Sequence, residues 1–376
     1  MAGIYIHIPF CKSRCIYCGF YSTTLGDSYK TAYADALCKE LQLRTDYVSE
    51  TIETIYFGGG TPSLMPVQLL QTILKTIFQH YHVNKNAEIT MECNPDDITG
   101  PFVSALKAMG VNRVSLGVQT FSDERLALIR RRHSAADVKK AIQCLQRHEI
   151  YNISIDLMFG FPNETLNDWA FDIKRALALK VTHISAYSLM FEESTPLYDM
   201  LEKGEIKEVP EDVSLNMYKM LIAQLKENGY EQYEISNFAL PGFRSRHNSS
   251  YWKRIPYIGI GAAAHSYNIT SRQWNISNVQ QYIATIGKNS IPMEIEHLDK
   301  PTMYDDWITT AMRTCEGIDL RELHQEFGEK YEKYFMDQAQ QYLNRGWLEQ
   351  VNNHIRLTQQ GLFVSDMVMS DLMIAE

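Results

Sequence analysis

Six apolar, β-branched runs recur along the first half of the chain, and amphipathic helical patterns lie between them. The runs are GIYIHI (3–8), ETIYF (53–57), EITMEC (88–93), RVSLGV (113–118), NISIDLM (152–158) and HISAYSL (183–189). Strand–helix alternation of this kind predicts parallel strands joined by crossover helices. The helix expected from Pro66 puts Leu69, Leu70, Ile73, Leu74, Ile77 and Phe78 on one face. The predicted fold class is therefore α/β, an incomplete six-unit (β/α)6 barrel.

Each run is followed at once by Cys, Gly or polar residues. Three cysteines follow the first, Gly59, Gly60 and Thr61 the second, and Glu92 closes the third. Gln119 follows the fourth, Asp156 lies in the fifth, and Tyr187 and Ser188 end the sixth. The active site of a β/α barrel forms at the C-terminal ends of its strands. Polar groups delivered there by six consecutive units predict one shared site at that rim.

Beyond about residue 205 the alternation weakens. YEQYEISNFA (230–239) reads as one more strand, and YIGIGAAAHSY (257–267) is rich in Gly and Ala. From about residue 300 helices dominate, followed by a hairpin over WLEQVNNHIRLT (347–358) and a last helix. This suggests a small winged-helix-like α+β domain. The expected divisions are 1–235 for the barrel, 236–299 for an extension and 300–376 for the C-terminal domain.

Bulk properties exclude several classes. No apolar stretch approaches the ~20 residues that span a bilayer, and the N-terminus reads as a strand rather than a signal peptide. A cytoplasmic location follows, where seven cysteines are not a disulfide framework. The formal net charge is −9, and the densest basic run is Arg130 to Arg132, so a general nucleic-acid grip is disfavoured. Cys38, Cys93, Cys144 and Cys315 read as small buried hydrophobes.

Cys11, Cys15 and Cys18 stand in C-x3-C-x2-C spacing directly after the first strand. Structural zinc takes four ligands, so zinc would need His7 or a distant residue as well. A [4Fe–4S] cube normally takes four thiolates, and three would leave one iron open to an exchangeable ligand.

This motif, with Tyr17 before its last cysteine, resembles that of the radical S-adenosylmethionine (radical SAM) superfamily. The resemblance implies a [4Fe–4S] cluster on Cys11, Cys15 and Cys18, with the amine and carboxylate of S-adenosylmethionine chelating the open iron. It also implies cofactor contacts at Tyr5, Tyr17, Gly59, Gly60, Thr61, Glu92, Gln119, Arg131 and Asp156. Arg130 and Arg132 read as solvated helix charges, and Met190 as a backbone contact.

IYIHIPFC, GGGTPS, SLGVQTF and IDLMFGFP together resemble the subgroup around oxygen-independent coproporphyrinogen III dehydrogenase, over nearly the whole chain. That enzyme has a further cysteine where this chain has Phe20, and an N-terminal extension ahead of the first strand. Both departures point away from decarboxylation, which is the alternative function. SRHNSSYW (245–252) is similar to the H-N-x-x-Y-W signature of HemW-type heme chaperones. That similarity implies heme as a ligand and an acceptor hemoprotein as a partner, with His247 contacting the heme and His265 next in line. Tyr251 and Trp252 could pack on a porphyrin face. A homodimer, with a second copy of the chain as partner, is a further expectation.

Overall fold

The computed structural model describes residues 1–374. The six expected strands form β1 (Ala2–Ile8), β2 (Ile52–Gly59), β3 (Val83–Cys93), β4 (Arg113–Gln119), β5 (Ile153–Phe159) and β6 (His183–Ser188). They pair in sequence order, each parallel to the next. Alternation then divides each strand between two faces. Ile4, Ile6, Ile8, Ile55, Phe57, Val114, Leu116, Ile153, Ile155 and Ile184 lie in one buried apolar cluster with the surrounding helices. The opposite parity lines the barrel interior and is polar: Tyr5 and His7; Thr54 and Tyr56; Glu88, Thr90 and Glu92; Arg113 and Ser115; Asp156; His183 and Ser185.

The barrel stays open. Tyr257–Ile260 adds to β1 in parallel, and His265–Tyr267, Ser271–Asn275 and Met293–His297 continue antiparallel beyond it. On the other side Asn237–Ala239 pairs antiparallel with β6. The stretch 230–239 is thus two short strands, Glu231–Gln232 and Asn237–Ala239, not one. Glu234 breaks it, because its carboxylate accepts the Ser236 amide at 2.9 Å and folds the chain back.

A buried ion pair ties the added strands to the Ser28–Leu43 helix. Arg44 Nη1 donates to Glu40 Oε1 and to the Gly259 carbonyl, both at 3.0 Å, and Nη2 donates to Gln273 Oε1 at 2.8 Å. Glu40 also accepts from Tyr282 Oη at 2.6 Å and from the Gly261 amide at 2.9 Å. Both Glu40 oxygens and both terminal nitrogens of Arg44 have partners, the condition under which buried charge is tolerated. The apolar core therefore runs unbroken across residue 235, from Ala2 to Ile286.

A second core spans Tyr304 to Leu372. It holds the Lys300–Ala311, Leu320–Phe327, Glu329–Asn344 and Ser365–Leu372 helices and the Leu348–Val351/His354–Leu357 hairpin. In the Val67–His80 helix, Leu70, Ile73, Leu74 and Ile77 are buried, whereas Phe78 turns half out to solvent. Among the described residues no helix is long and apolar enough to cross a membrane.

Candidate functional site

The cysteine loop is closed at its base. Cys11 N donates to Thr23 O at 2.9 Å, and Thr23 N donates to Pro9 O at 2.7 Å. Ile16 is buried with Met158, Phe161, Leu189 and Leu197, which presses the middle of the loop onto the barrel mouth, and Tyr17 packs against that group. The three thiols are half-buried and unpaired. Burial pushes the Cys11 and Cys18 thiols up, and the neighbouring thiols add to it. Among the described residues no three metal-ligating side chains converge on a point. A cube is held corner by corner, so its thiolates must be spread around it.

Residues from the next strands close around the loop. Thr61 Oγ1 lies 3.6 Å from Cys11 Sγ. Arg131 Nη1 lies 3.6 Å from Cys15 Sγ, and Nη2 donates to Gly117 O at 2.6 Å and also to Asn94 Oδ1. Arg131 Nε is buried without an acceptor, so the guanidinium has capacity for one more anion. Gly59 has φ 113°, and a Cβ there would meet the His7 ring at 2.7 Å. A Cβ at Gly60 would come within 2.8 Å of the Pro9 backbone and 3.0 Å of Cys11 Sγ. The two glycines let β2 close tightly over the loop. This cradle, the three thiols and the open guanidinium edge fit a thiolate-bound cluster with an anionic group beside it.

Deeper in the mouth stand two carboxylates. Glu92 accepts from Tyr56 Oη at 2.7 Å and from Gly59 N at 3.1 Å. Burial pushes its carboxyl up to about 7, with Asp156 adding to the shift. Asp156 accepts from Ser115 Oγ at 3.4 Å, and burial raises it to about 6. Arg113 opposes both shifts from below. It is 1% exposed, and its Nε and Nη1 have no acceptor. Tyr5 Oη meets His7 Nδ1 at 3.0 Å. Gln119 is buried at the end of β4 with φ 69°. Met190 is exposed.

Arg130 is exposed as expected, but Arg132 is not a solvated charge: it pairs with Asp96 at 3.1 Å and Asp97 at 2.9 Å. Of the four cysteines outside the loop only Cys93 is buried. Cys38, Cys144 and Cys315 keep accessible surface, because the helices and turn that carry them face outward there.

His247 meets this group from the other end of the barrel, through the rings of Tyr56 and Tyr5. Its helix, Arg246–Trp252, plugs the barrel at the N-terminal ends of β1 to β3. Glu88 accepts the Arg246 and His247 amides at 3.1 and 3.0 Å, pinning the positive end of the helix. His247 is 1% exposed and stacks on Tyr56 at 4.9 Å. Nδ1 is 2.7 Å from Thr54 Oγ1, and Nε2 is 2.8 Å from Tyr251 Oη. Burial lowers the imidazole to about 3, so it is neutral, with its one donor and one acceptor both used. Tyr251 serves this buried histidine, while Trp252 faces the C-terminal domain under Arg313. His265 is exposed on His265–Tyr267 and stacks on Trp274 at 6.0 Å.

Sequence reading missed Tyr56, Asn94 and Arg113. Tyr56 and Arg113 had a signal: each stands at the strand parity of Tyr5 and Glu92, which faces the interior. Asn94 had none, because only the chain's return after β3 brings it to Arg131.

The chain is similar to known proteins over nearly its whole length. Residues 5–176 match the radical SAM superfamily, and residues 298–364 match the HemN C-terminal domain. A curated relative from Lactococcus lactis, named heme chaperone HemW, is 32% identical over 98% of this chain and 97% of its own. Its namesake in Bacillus subtilis is 32% identical over 98% of both chains. The solved structure of Escherichia coli coproporphyrinogen III oxidase, HemN, superposes with a TM-score of 0.85 at 21% identity, covering 99% of this chain and 89% of that one. That likeness establishes the α/β radical SAM fold, including the C-terminal domain. With 32% identity to the curated relatives over nearly its full length, an open six-unit barrel and a three-cysteine loop at its mouth, the chain belongs to the HemW family of the radical SAM superfamily.

Proposed function

We propose that this protein binds heme and passes it to an acceptor hemoprotein, on a barrel carrying a [4Fe–4S] cluster and S-adenosylmethionine. The observation that carries this reading is the near full-length similarity to relatives named heme chaperone. The partners we propose are heme, the acceptor and, in a homodimer, a second copy of the chain. All seven cysteines are free thiols, which suits the cytoplasm, where we place the protein.

Cys11, Cys15 and Cys18 would hold the cluster. When bound, the cluster supplies an electron and one iron open to an outside ligand. The chain supplies the surroundings. Arg131 offsets charge on Cys15 and offers Nε to a carboxylate. Glu92 and Asp156 accept hydrogen bonds from an amine or from hydroxyls, with Tyr56, Gly59 and Ser115 fixing their orientation. Tyr5, Gly60, Thr61 and Gln119 shape the mouth, and Tyr17 with Ile16 limits the access of water to it.

His247 can ligate heme iron only after its ring gives up the Thr54 or the Tyr251 hydroxyl, because both ring nitrogens are engaged. An anaerobic heme titration of cluster-loaded wild type and His247→Ala, followed at the Soret band, tests the reading. Saturable binding weakened in the variant is expected. Absence of specific binding by wild type would discard the function and turn attention to coproporphyrinogen decarboxylation. Equal binding by both would keep the function and move the iron ligand, with His265 next.

A further inference from the structure

The H-N-x-x-Y-W helix has two working faces. His247 and Tyr251, four residues apart, enter the barrel. Trp252 points the other way, to a cavity of about 380 Å³ shared with Thr309, Thr310, Arg313, Met369 and Met373 of the C-terminal domain. The Arg313 guanidinium carbon sits 5.3 Å from the centre of the Trp252 ring. Arg313 also lines a second cavity of about 450 Å³, toward Glu234 and the C-terminal hairpin.

Two donors at this junction are unspent. Trp252 Nε1 and Arg313 Nε are both buried, and neither has an acceptor among the described residues. Unpaired buried N–H groups are rare and costly in native folds. Asp366 lines the same cavity but forms no ion pair with Arg313 among the described residues. The hydroxyl protons of Thr309 and Thr310 are already given to helix carbonyls, at 3.1 and 2.7 Å. The cavity thus offers a permanent cation and an indole N–H beside two thioethers and an aromatic face. Oxygen pairs of one shape suit that set: a planar anion on an apolar body.

We propose that this cavity binds a carboxylate, with Arg313 and Trp252 as its donors, and that in the working protein the carboxylate is a propionate of heme. The second half rests on the heme reading above; the first does not. Trp252 would then act through its N–H as well as its ring. One short helix would join the propionate anchor to the barrel plug, so that docking at one end bears on His247 at the other.

The test uses full-length, cluster-loaded protein with three porphyrins: hemin, metal-free mesoporphyrin IX and mesoporphyrin dimethyl ester. Benzoate is the simple carboxylate, followed through the Trp252 indole N–H resonance. Wild type should bind the free acid about tenfold or more tighter than the diester, the worth of one charge-assisted hydrogen bond. Arg313→Met and Trp252→Phe, which keep bulk and remove a donor, should each lose most of that preference. Equal binding of acid and diester by wild type, or a preference kept by both variants, would overturn the proposal and leave hemin binding, and the chaperone reading, standing. A benzoate-induced shift of the indole resonance without hemin binding would support the carboxylate site and sink the heme reading instead. No shift with benzoate and no porphyrin preference would overturn the site itself. The benzoate arm and the acid–diester comparison need only wild type, so they test both halves of the proposal even if a variant misfolds.

Discussion

Nδ1 of His247 lies 2.7 Å from Oγ1 of Thr54, a residue 193 positions earlier at the other end of the barrel sequence. This contact makes the signature histidine part of the barrel floor. Thr54→Val keeps the shape and removes the partner. It should cost about 1–3 kcal/mol of stability, the range for leaving one buried polar group unpaired. It should also raise heme affinity, because the ring is freed without deleting it. Urea unfolding and a Soret titration on the same variant check both halves; weaker heme binding would mean the contact holds the ring in its working position.

Cys11→Ala, Cys15→Ala and Cys18→Ala should each lose the cluster. Iron and acid-labile sulfide analysis after anaerobic reconstitution reads this directly. A variant that retains full iron would remove its cysteine from the ligand set.

Arg131 touches both the loop and Gly117 O, so charge and shape can be separated. Arg131→Lys keeps a cation but loses the forked reach to Cys15, Gly117 and Asn94. S-adenosylmethionine affinity should fall by about tenfold or more, as expected when a bidentate guanidinium contact is lost. Cluster iron should stay near wild type. Unchanged affinity by equilibrium dialysis would end the assignment.

Glu92 makes the cofactor-free protein pH-sensitive. Its folded carboxyl sits near 7 against an ordinary 4.5, so between these values the folded state holds a proton that the unfolded chain releases. Stability is then full below about pH 4.5 and falls as pH rises through 7, by on the order of 3 kcal/mol from this group. Glu92→Gln, neutral throughout, should flatten the slope. Denaturation midpoints taken from pH 5 to 8 on both proteins give the comparison, and parallel curves would assign the pH dependence elsewhere.

The Arg44–Glu40 pair predicts a non-additive outcome. Arg44→Met strands a buried carboxylate and should cost about 3–5 kcal/mol; Arg44→Met with Glu40→Gln should cost less than the single change. A double variant as unstable as the sum of the two singles would show that the charges do not act as a pair.

The six parallel strands, the buried faces of their helices and the three-cysteine loop were legible in the sequence, because each rests on local rules. Apolar positions at periods of two and of three to four mark strands and helices wherever they occur, and three thiols within eight residues share one loop in any fold. The interior polar set from Tyr56 to Arg113 was legible in principle by the same strand parity. What only the tertiary structure decided is where the H-N-x-x-Y-W helix goes. A seven-residue helix carries too little periodicity to reveal which face is covered. Its placement depends on Glu88 waiting at its N-terminus, on Thr54 beneath its histidine and on Arg313 above its tryptophan. Those contacts join residues far apart in the chain, and no local pattern encodes them.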